Sequence, residues 1–542
     1  MISSVRVPWR YAEKERCSNM IKKIIAVFTL LTVILSGISA YAFDPQLKYN
    51  NAGTYDLWTE ESYYSSPAVC DIDGDGEIEI IFSNYSITVL DAKTGTTEWK
   101  VNSGYDRNTP VQEFGLSNGH TWSDVEVHDI NGDGKKEIIT AHGKGVISVL
   151  SCDGYFLPGW PQKPLEVSAR SVEVADLDGD GKMEIVVGYG VESNTSIYVF
   201  NYDGTLRRGW PQADANGTYT WTYGTFMDSI TIDDLNYDGI KEIIYPSDLS
   251  FISVFEPDGT PYMANSEVYG NRSWGHVALY EDLSAEIKGD NRGWGSEIDG
   301  SEKREDLYKG EFGHAKARVA DLDGDGTKEV VATTIMCNRK YAPVYPPTEY
   351  MSVAIFNADR TRYRNDKLGY NWETIPTDLG KPLVQNTQSI ASKVFHAPTI
   401  SDLDGDGRKE VLFNSYNGKV HCFALDSTEP YAWPYSLTKR TSPKYEYASP
   451  VTCVDLDGDG KQEVIFCSYF DDTQGYGNVK GSLYILNYEG KLISKTTFPE
   501  TKEPGQKPNG SMAAPVVHDI DGDGRYEIVI NSLWGGICVY DI

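Results

Sequence analysis

Cysteine, histidine and methionine are scarce, with eight of each among 542 residues. The cysteines are scattered. Cys17 lies in the leader, and Cys422, Cys467 and Cys538 sit in or beside apolar strand patterns. Buried free thiols are therefore expected and a disulfide framework is not. Positive charge is in short supply too: 49 Lys and Arg face 79 Asp and Glu, a formal net charge of −30. Such a chain repels phosphates, which argues against a nucleic-acid partner. Long apolar runs are missing apart from Ile24–Leu35, which is too short for a comfortable membrane span. Lys22-Lys23 precede that run and Ala40-Tyr41-Ala42 follows it, so residues 1–42 read as an export signal, with Met20 as an alternative start. The expected location is extracellular or periplasmic, without a membrane span. Zincin (H-E-x-x-H) and P-loop signatures are also absent.

One nine-residue pattern, D-x-D-x-D-G-x-x-E, recurs eight times, with Asn131 and Asn236 in place of the second aspartate in two copies. The first copy is Asp71-Ile-Asp-Gly-Asp-Gly-Glu-Ile-Glu79, and an apolar run follows each copy. Carboxylates at alternate positions of a tight turn repel one another, and a hard divalent cation relieves that repulsion. Calcium suits it, taking six to eight oxygens in flexible geometry. The expected ligands are Asp71, Asp73, Asp75 and Glu79; Asp129, Asn131, Asp133 and Glu137; Asp176, Asp178, Asp180 and Glu184; Asp234, Asn236, Asp238 and Glu242. The remaining four loops supply Asp321, Asp323, Asp325 and Glu329; Asp402, Asp404, Asp406 and Glu410; Asp455, Asp457, Asp459 and Glu463; Asp519, Asp521, Asp523 and Glu527. Up to eight structural Ca²⁺ ions follow. Asn236 beside Tyr237 makes the fourth loop the weakest of them.

An EF-hand would place an acid at loop position 12. Here that position holds Phe82, Thr140, Val187, Tyr245, Ala332, Phe413, Phe466 and Ile530. The flanks alternate as strands do. The invariant sixth-position glycine, Gly76 in the first loop, supplies the left-handed conformation the reversal needs. Ile or Leu at position 2 should pack beneath the loop.

Loop starts are separated by 58, 47, 58, 87, 81, 53 and 64 residues, and the shorter spacings match one four-stranded propeller blade. The expected fold is all-β. It is a single β-propeller of eight four-stranded blades over residues 43–542, closed by an N-terminal strand that completes the last blade; Tyr55–Trp58 is the candidate for that strand. Seven blades, with one loop in an inserted hairpin, is the alternative. The units resemble the FG-GAP or VCBS repeats of the integrin α-subunit propeller and its bacterial relatives, over roughly residues 55–542. That resemblance implies calcium between the first and second strands of each blade. The Gly-Ala-Pro element is absent, and position 9 is Glu where integrins usually have Asp.

Four long insertions, residues 261–313, 333–350, 360–394 and 467–481, are expected on the face opposite the calcium loops. Long loops on a rigid scaffold commonly carry binding. Ligand-face candidates there and at the starts of inner strands are Trp122, Asp228, Trp274, His276, Arg292, Trp294, His314 and His396. Flat aromatics beside polar groups suit sugar rings or protein hot spots. The expected function is a monomeric secreted binding module for a glycan or extracellular protein. The alternative is a polysaccharide-active enzyme resembling eight-bladed rhamnogalacturonan lyases. Leu90–Trp99 also resembles the docking motif of quinone-dependent dehydrogenases, but it is clear only once and no vicinal cysteine pair accompanies it.

Overall fold

The computed structural model describes residues 43–51, 65–112, 118–190, 195–213, 230–246, 250–288, 308–312, 316–337, 350–377, 379–380, 383, 397–437, 445–470, 479–500, 510–533 and 536–542. The chain divides into two units, Met1–Asp44 and Pro45–Ile542. The second unit is an eight-bladed β-propeller.

Blade one shows the pattern. Its strands Ala68–Cys70, Glu79–Ser83, Ser86–Asp91 and Thr97–Asn102 pair antiparallel in chain order. The acidic loop joins the first strand to the second. The second strand is buried throughout, because neighbouring blades cover both of its faces. Its side chains alternate between them, as the two-residue period of a strand requires. Ile80 and Phe82 join the core shared with blade eight, and Ile81 joins the core shared with blade two. The core is thus divided into layers between blades rather than gathered at one centre. The second-position residues Ile72, Ile130, Leu177, Leu235, Leu322, Leu403 and Ile520 are all buried beneath their loops, and Leu456 is half-buried.

Fourth strands are less regular. Blades one and seven have full ones, Thr97–Asn102 and Leu492–Thr497. In blades two to five the fourth edge is held by isolated bridges such as Leu150 to Phe156, Phe200 to Leu206, Phe255 to Pro261 and Phe356 to Arg362. Proline breaks the ladder in several of them, since Pro158, Pro161, Pro211 and Pro261 lack the N–H that a paired strand donates.

The ring closes with the N-terminal segment, as expected, but through a different stretch. Gln46–Asn51 pairs antiparallel with Gly536–Asp541 and completes the sheet of Val516–His518 and Glu527–Ser532. Tyr55–Trp58 lies outside the described residues. Several insertions begin as extensions of strands. Glu329–Cys337 and Glu463–Phe470 overrun their blades, and their far ends pair with Lys309–Glu311 and Glu446–Ala448. Cys70, Cys152, Cys422, Cys453, Cys467 and Cys538 are free thiols.

Six tryptophans join consecutive blades from the first to the seventh. The indole N–H of Trp99 donates to the carbonyl of Cys152, Trp160 to Tyr202, Trp210 to Pro257, Trp274 to Ala358, Trp372 to Leu425 and Trp433 to Tyr488, all between 2.8 and 3.0 Å. Every acceptor lies in the turn after a third strand. Where blade eight meets blade one, the hydroxyl of Tyr49 donates to the carbonyl of Ala92 instead.

Candidate metal centres

All eight loops fold alike, because each aspartate is committed to the backbone of its own turn. In the first loop Asp71 Oδ1 accepts the Gly74 N–H at 2.6 Å and Oδ2 accepts that of Gly76 at 3.0 Å. Asp73 and Asp75 accept from the backbone two residues onward, at 3.1 and 2.8 Å. Glu79, at the start of the second strand, reaches back to take the Ile72 N–H at 2.8 Å. The sixth-position glycines sit at φ between +83° and +91°, as the motif requires. In blade four Tyr237 replaces the usual fourth-position glycine and still adopts φ +60°.

These bonds use one oxygen of most side chains and turn others inward. Ligand-capable oxygens lie within 4.8 Å of one another in Asp71/Asp73/Glu79, Asp176/Asp178/Glu184, Asp321/Asp323/Asp325, Asp402/Asp404/Glu410 and Asp455/Asp457/Glu463. In blade four, Glu242 Oε1 is buried without a hydrogen-bond partner while its Oε2 accepts from Leu235. An oxygen-only donor set with a buried unpaired carboxylate oxygen fits a hard cation. These clusters could hold a metal ion.

The electrostatics agree. Burial pushes Glu79, Glu137, Glu242, Glu410 and Glu463 up to about 7 and Glu329 to about 8; a backbone N–H works against the rise, and neighbouring aspartates add to it. Glu184 and Glu527 are also raised by burial, but Arg207 and Lys48 respectively pull them back.

Some loops are closed by neighbouring side chains. Arg207 bridges Asp178 and Glu184 at 3.2 and 3.1 Å. Lys48 bridges Asp521, Glu527 and Asp541 at 2.7, 3.2 and 3.2 Å. Tyr363 and Asn365 donate to Asp323 Oδ2 at 2.7 and 2.6 Å, and Tyr431 donates to Asp404 Oδ2 at 2.8 Å.

With eight such loops, each between the first two strands of a propeller blade, the repeat is identified. Residues 176–245, 402–466 and 455–530 match the FG-GAP-like repeat family. The chain carries FG-GAP-like repeats. No curated protein matches it. Among solved structures, the V. cholerae biofilm matrix protein Bap1 is 14% identical over 92% of this chain and 90% of its own, at a TM-score of 0.49. Rhamnogalacturonan lyase YesW is 16% identical over 93% and 76%, at 0.47. BamB from Moraxella catarrhalis is 10% identical over 92% and 98%, at 0.45.

The ligand-face candidates fare differently. Trp274 is fully buried, with its ring edge-on to Phe356 and its N–H on Ala358, so it is a core residue and offers no surface. The surrounding insertion packs inward because Glu286, itself buried, holds Arg360 at 3.1 Å and Arg362 at 2.8 Å. His276 is half-buried, hydrogen-bonded to Ser273 at 2.7 Å, and held below its ordinary pKa by burial. Asp228, Arg292, Trp294, His314 and His396 lie outside the described residues. Trp122, at the start of blade two, stands in a track that sequence reasoning missed. His120 lies 5.1 Å from it, Tyr85 lies 5.3 Å beyond His120, and the Arg170 guanidinium sits 5.5 Å over the indole. Tyr85 belongs to a second-to-third-strand turn, and the other three precede or open first strands, so all four share the end opposite the acidic loops.

Proposed function

We propose that the chain is a secreted, calcium-stabilised, monomeric β-propeller that binds a glycan or an extracellular protein through the face opposite its acidic loops. One observation supports the binding face above the others: the Tyr85–His120–Trp122–Arg170 track. Tyr85 is 47% exposed, the indole is half-buried, and a cation lies over its face. Rigid aromatics beside a cation make stacking surfaces with little ordering cost. Three blades contribute to the track, so the ring fixes its geometry. Residues 1–42 have the pattern of an export signal, and extracellular calcium would suit loops of modest affinity. No helix among the described residues is long and apolar enough to cross a membrane.

When bound, calcium would neutralise the clusters that it occupies. The ligands would be the aspartates at positions 1, 3 and 5 and the glutamate at position 9 of each loop, with Asn131 and Asn236 at position 3 in the second and fourth. These residues hold the first-to-second-strand turn, and the metal's role there is structural.

A glycan array and a panel of extracellular proteins, probed with wild type and with Tyr85→Ala and Trp122→Ala, test the binding face. Retention of wild type and loss of about tenfold or more in the variants, at unchanged melting temperature, is expected. Variants that bind as wild type does would remove this face from the account. Unsaturated products released from pectic polymers would replace binding with lyase chemistry.

A further inference from the structure

Lys48 reaches its loop because of a fault in the ladder. Leu47 pairs with Tyr540 and Tyr49 with Val539, so Lys48 is the extra residue of a bulge. Bulges re-aim side chains. The same slip recurs where fourth strands are regular: blade one pairs Thr97 with Leu90 and Trp99 with Val89, leaving Glu98, and blade seven pairs Leu492 with Leu486 and Ser494 with Ile485, leaving Ile493. In blade three Leu206 bridges Phe200, which puts Arg207 at the matching place. In blades four and five Pro261 and Arg362 make the equivalent bridge, followed by Tyr262 and Tyr363. In blades three, four, five and eight this position addresses the third-position side chain of the blade's own loop. Arg207 meets Asp178, Lys48 meets Asp521, Tyr262 meets Asn236, and Tyr363 meets Asp323.

We infer that this position decides which loops take calcium, and that Lys48 and Arg207 are tethered cations that hold the loops of blades eight and three without metal. The inference rests on the calcium reading of the other loops. An ammonium has three donors, and Lys48 meets three carboxylates, Asp521, Glu527 and Asp541. Arg207 spans Asp178 and Glu184 from two different nitrogens. Both cations are mostly covered, with side chains 20% and 15% exposed, and Glu527 and Glu184 beneath them are almost fully buried. A cation held by the fold is present at high effective concentration, and it repels a second cation from the same oxygens. For blade eight the consequence is specific. Lys48 lies on the strand that closes the ring, so closure and neutralisation of that loop are one event and need no calcium. The remaining six loops have no side-chain ammonium or guanidinium bridging both position 3 and position 9 among the described residues. At the same position blade one carries Glu98, which makes its loop more anionic still.

Equilibrium dialysis of the full chain against calcium, with wild type, Lys48→Met and Arg207→Met, tests this. Wild type should bind no more than about six ions, and each variant should gain about one. Arg207→Met leaves the N-terminal closure untouched and carries the test alone should Lys48→Met fail to fold. Eight ions on wild type, or an unchanged count in Arg207→Met, would overturn the inference and leave the calcium reading standing. No bound calcium on any form would remove that reading, and this inference with it.

Discussion

The indole N–H of Trp99, in the last strand of blade one, lies 2.9 Å from the carbonyl oxygen of Cys152 in blade two. The same bond recurs five more times around the ring, from Trp160, Trp210, Trp274, Trp372 and Trp433. It sets the spacing of neighbouring blades, and with it the placing of the loops at one end and the aromatic track at the other.

Trp160→Phe keeps most of the apolar surface and removes the donor from the Tyr202 carbonyl. A loss of about 1–3 kcal/mol in urea unfolding is expected, and Trp160→Ala should cost about 3–5 kcal/mol. Equal losses in the two variants would show that the hydrogen bond contributes nothing beyond the ring's bulk.

Two glycines separate strain from contact. Gly76, at φ +91°, has open space where a Cβ would stand, so Gly76→Ala should cost only the left-handed penalty of about 1–2 kcal/mol. Gly159, at φ +92°, has the Asp203 carbonyl oxygen of the next blade 2.0 Å from that point. Gly159→Ala should therefore cost clearly more and force neighbouring blades apart. Matching melting temperatures for the two variants would contradict the close approach.

His142 gives the pH dependence. It is wholly buried, shares hydrogen bonds with Thr121, Thr140 and Ser148 at 3.0–3.1 Å, and burial, helped by the charge of His120, drives its pKa from 6.5 to about 3. The folded chain therefore keeps it neutral while the unfolded chain protonates it below 6.5. Its contribution is complete above that pH and declines as pH falls from 6.5 towards 3. Urea midpoints measured across this range should fall more steeply for wild type than for His142→Gln. Parallel curves would show that His142 does not titrate with unfolding.

Much of this architecture is legible in the sequence, for a physical reason. A loop whose aspartates bond their own backbone is a local object, so its nine residues suffice to read it, down to Gly76 at positive φ and Ile72 beneath the turn. Eight local objects at blade-sized intervals then imply the ring. What escaped depends on register or on distant pairs. The closing strand is Gln46–Asn51, which no local signal distinguishes from Tyr55–Trp58. Lys48 enters its loop only because one residue is extra in a ladder formed with the other end of the chain. Trp99 was visible in a docking-like stretch, but its partners lie a variable distance along the chain, so the six-fold recurrence stayed hidden; the repeated Gly-Trp-Pro-Gln at Gly159–Gln162 and Gly209–Gln212 was the available signal. Trp274 sits in a long insertion, where composition alone cannot separate a core indole from an exposed one.

The central claim is that the acidic turns are held by a hard cation, and calorimetric melting of the chelated chain with calcium titrated back tests it most directly. With dissociation constants of about 0.1–1 mM, each occupied loop should add about 0.5–1.5 kcal/mol, so the melting temperature should climb steadily through millimolar calcium. Melting curves that superimpose with and without calcium, after exhaustive chelation, would contradict it.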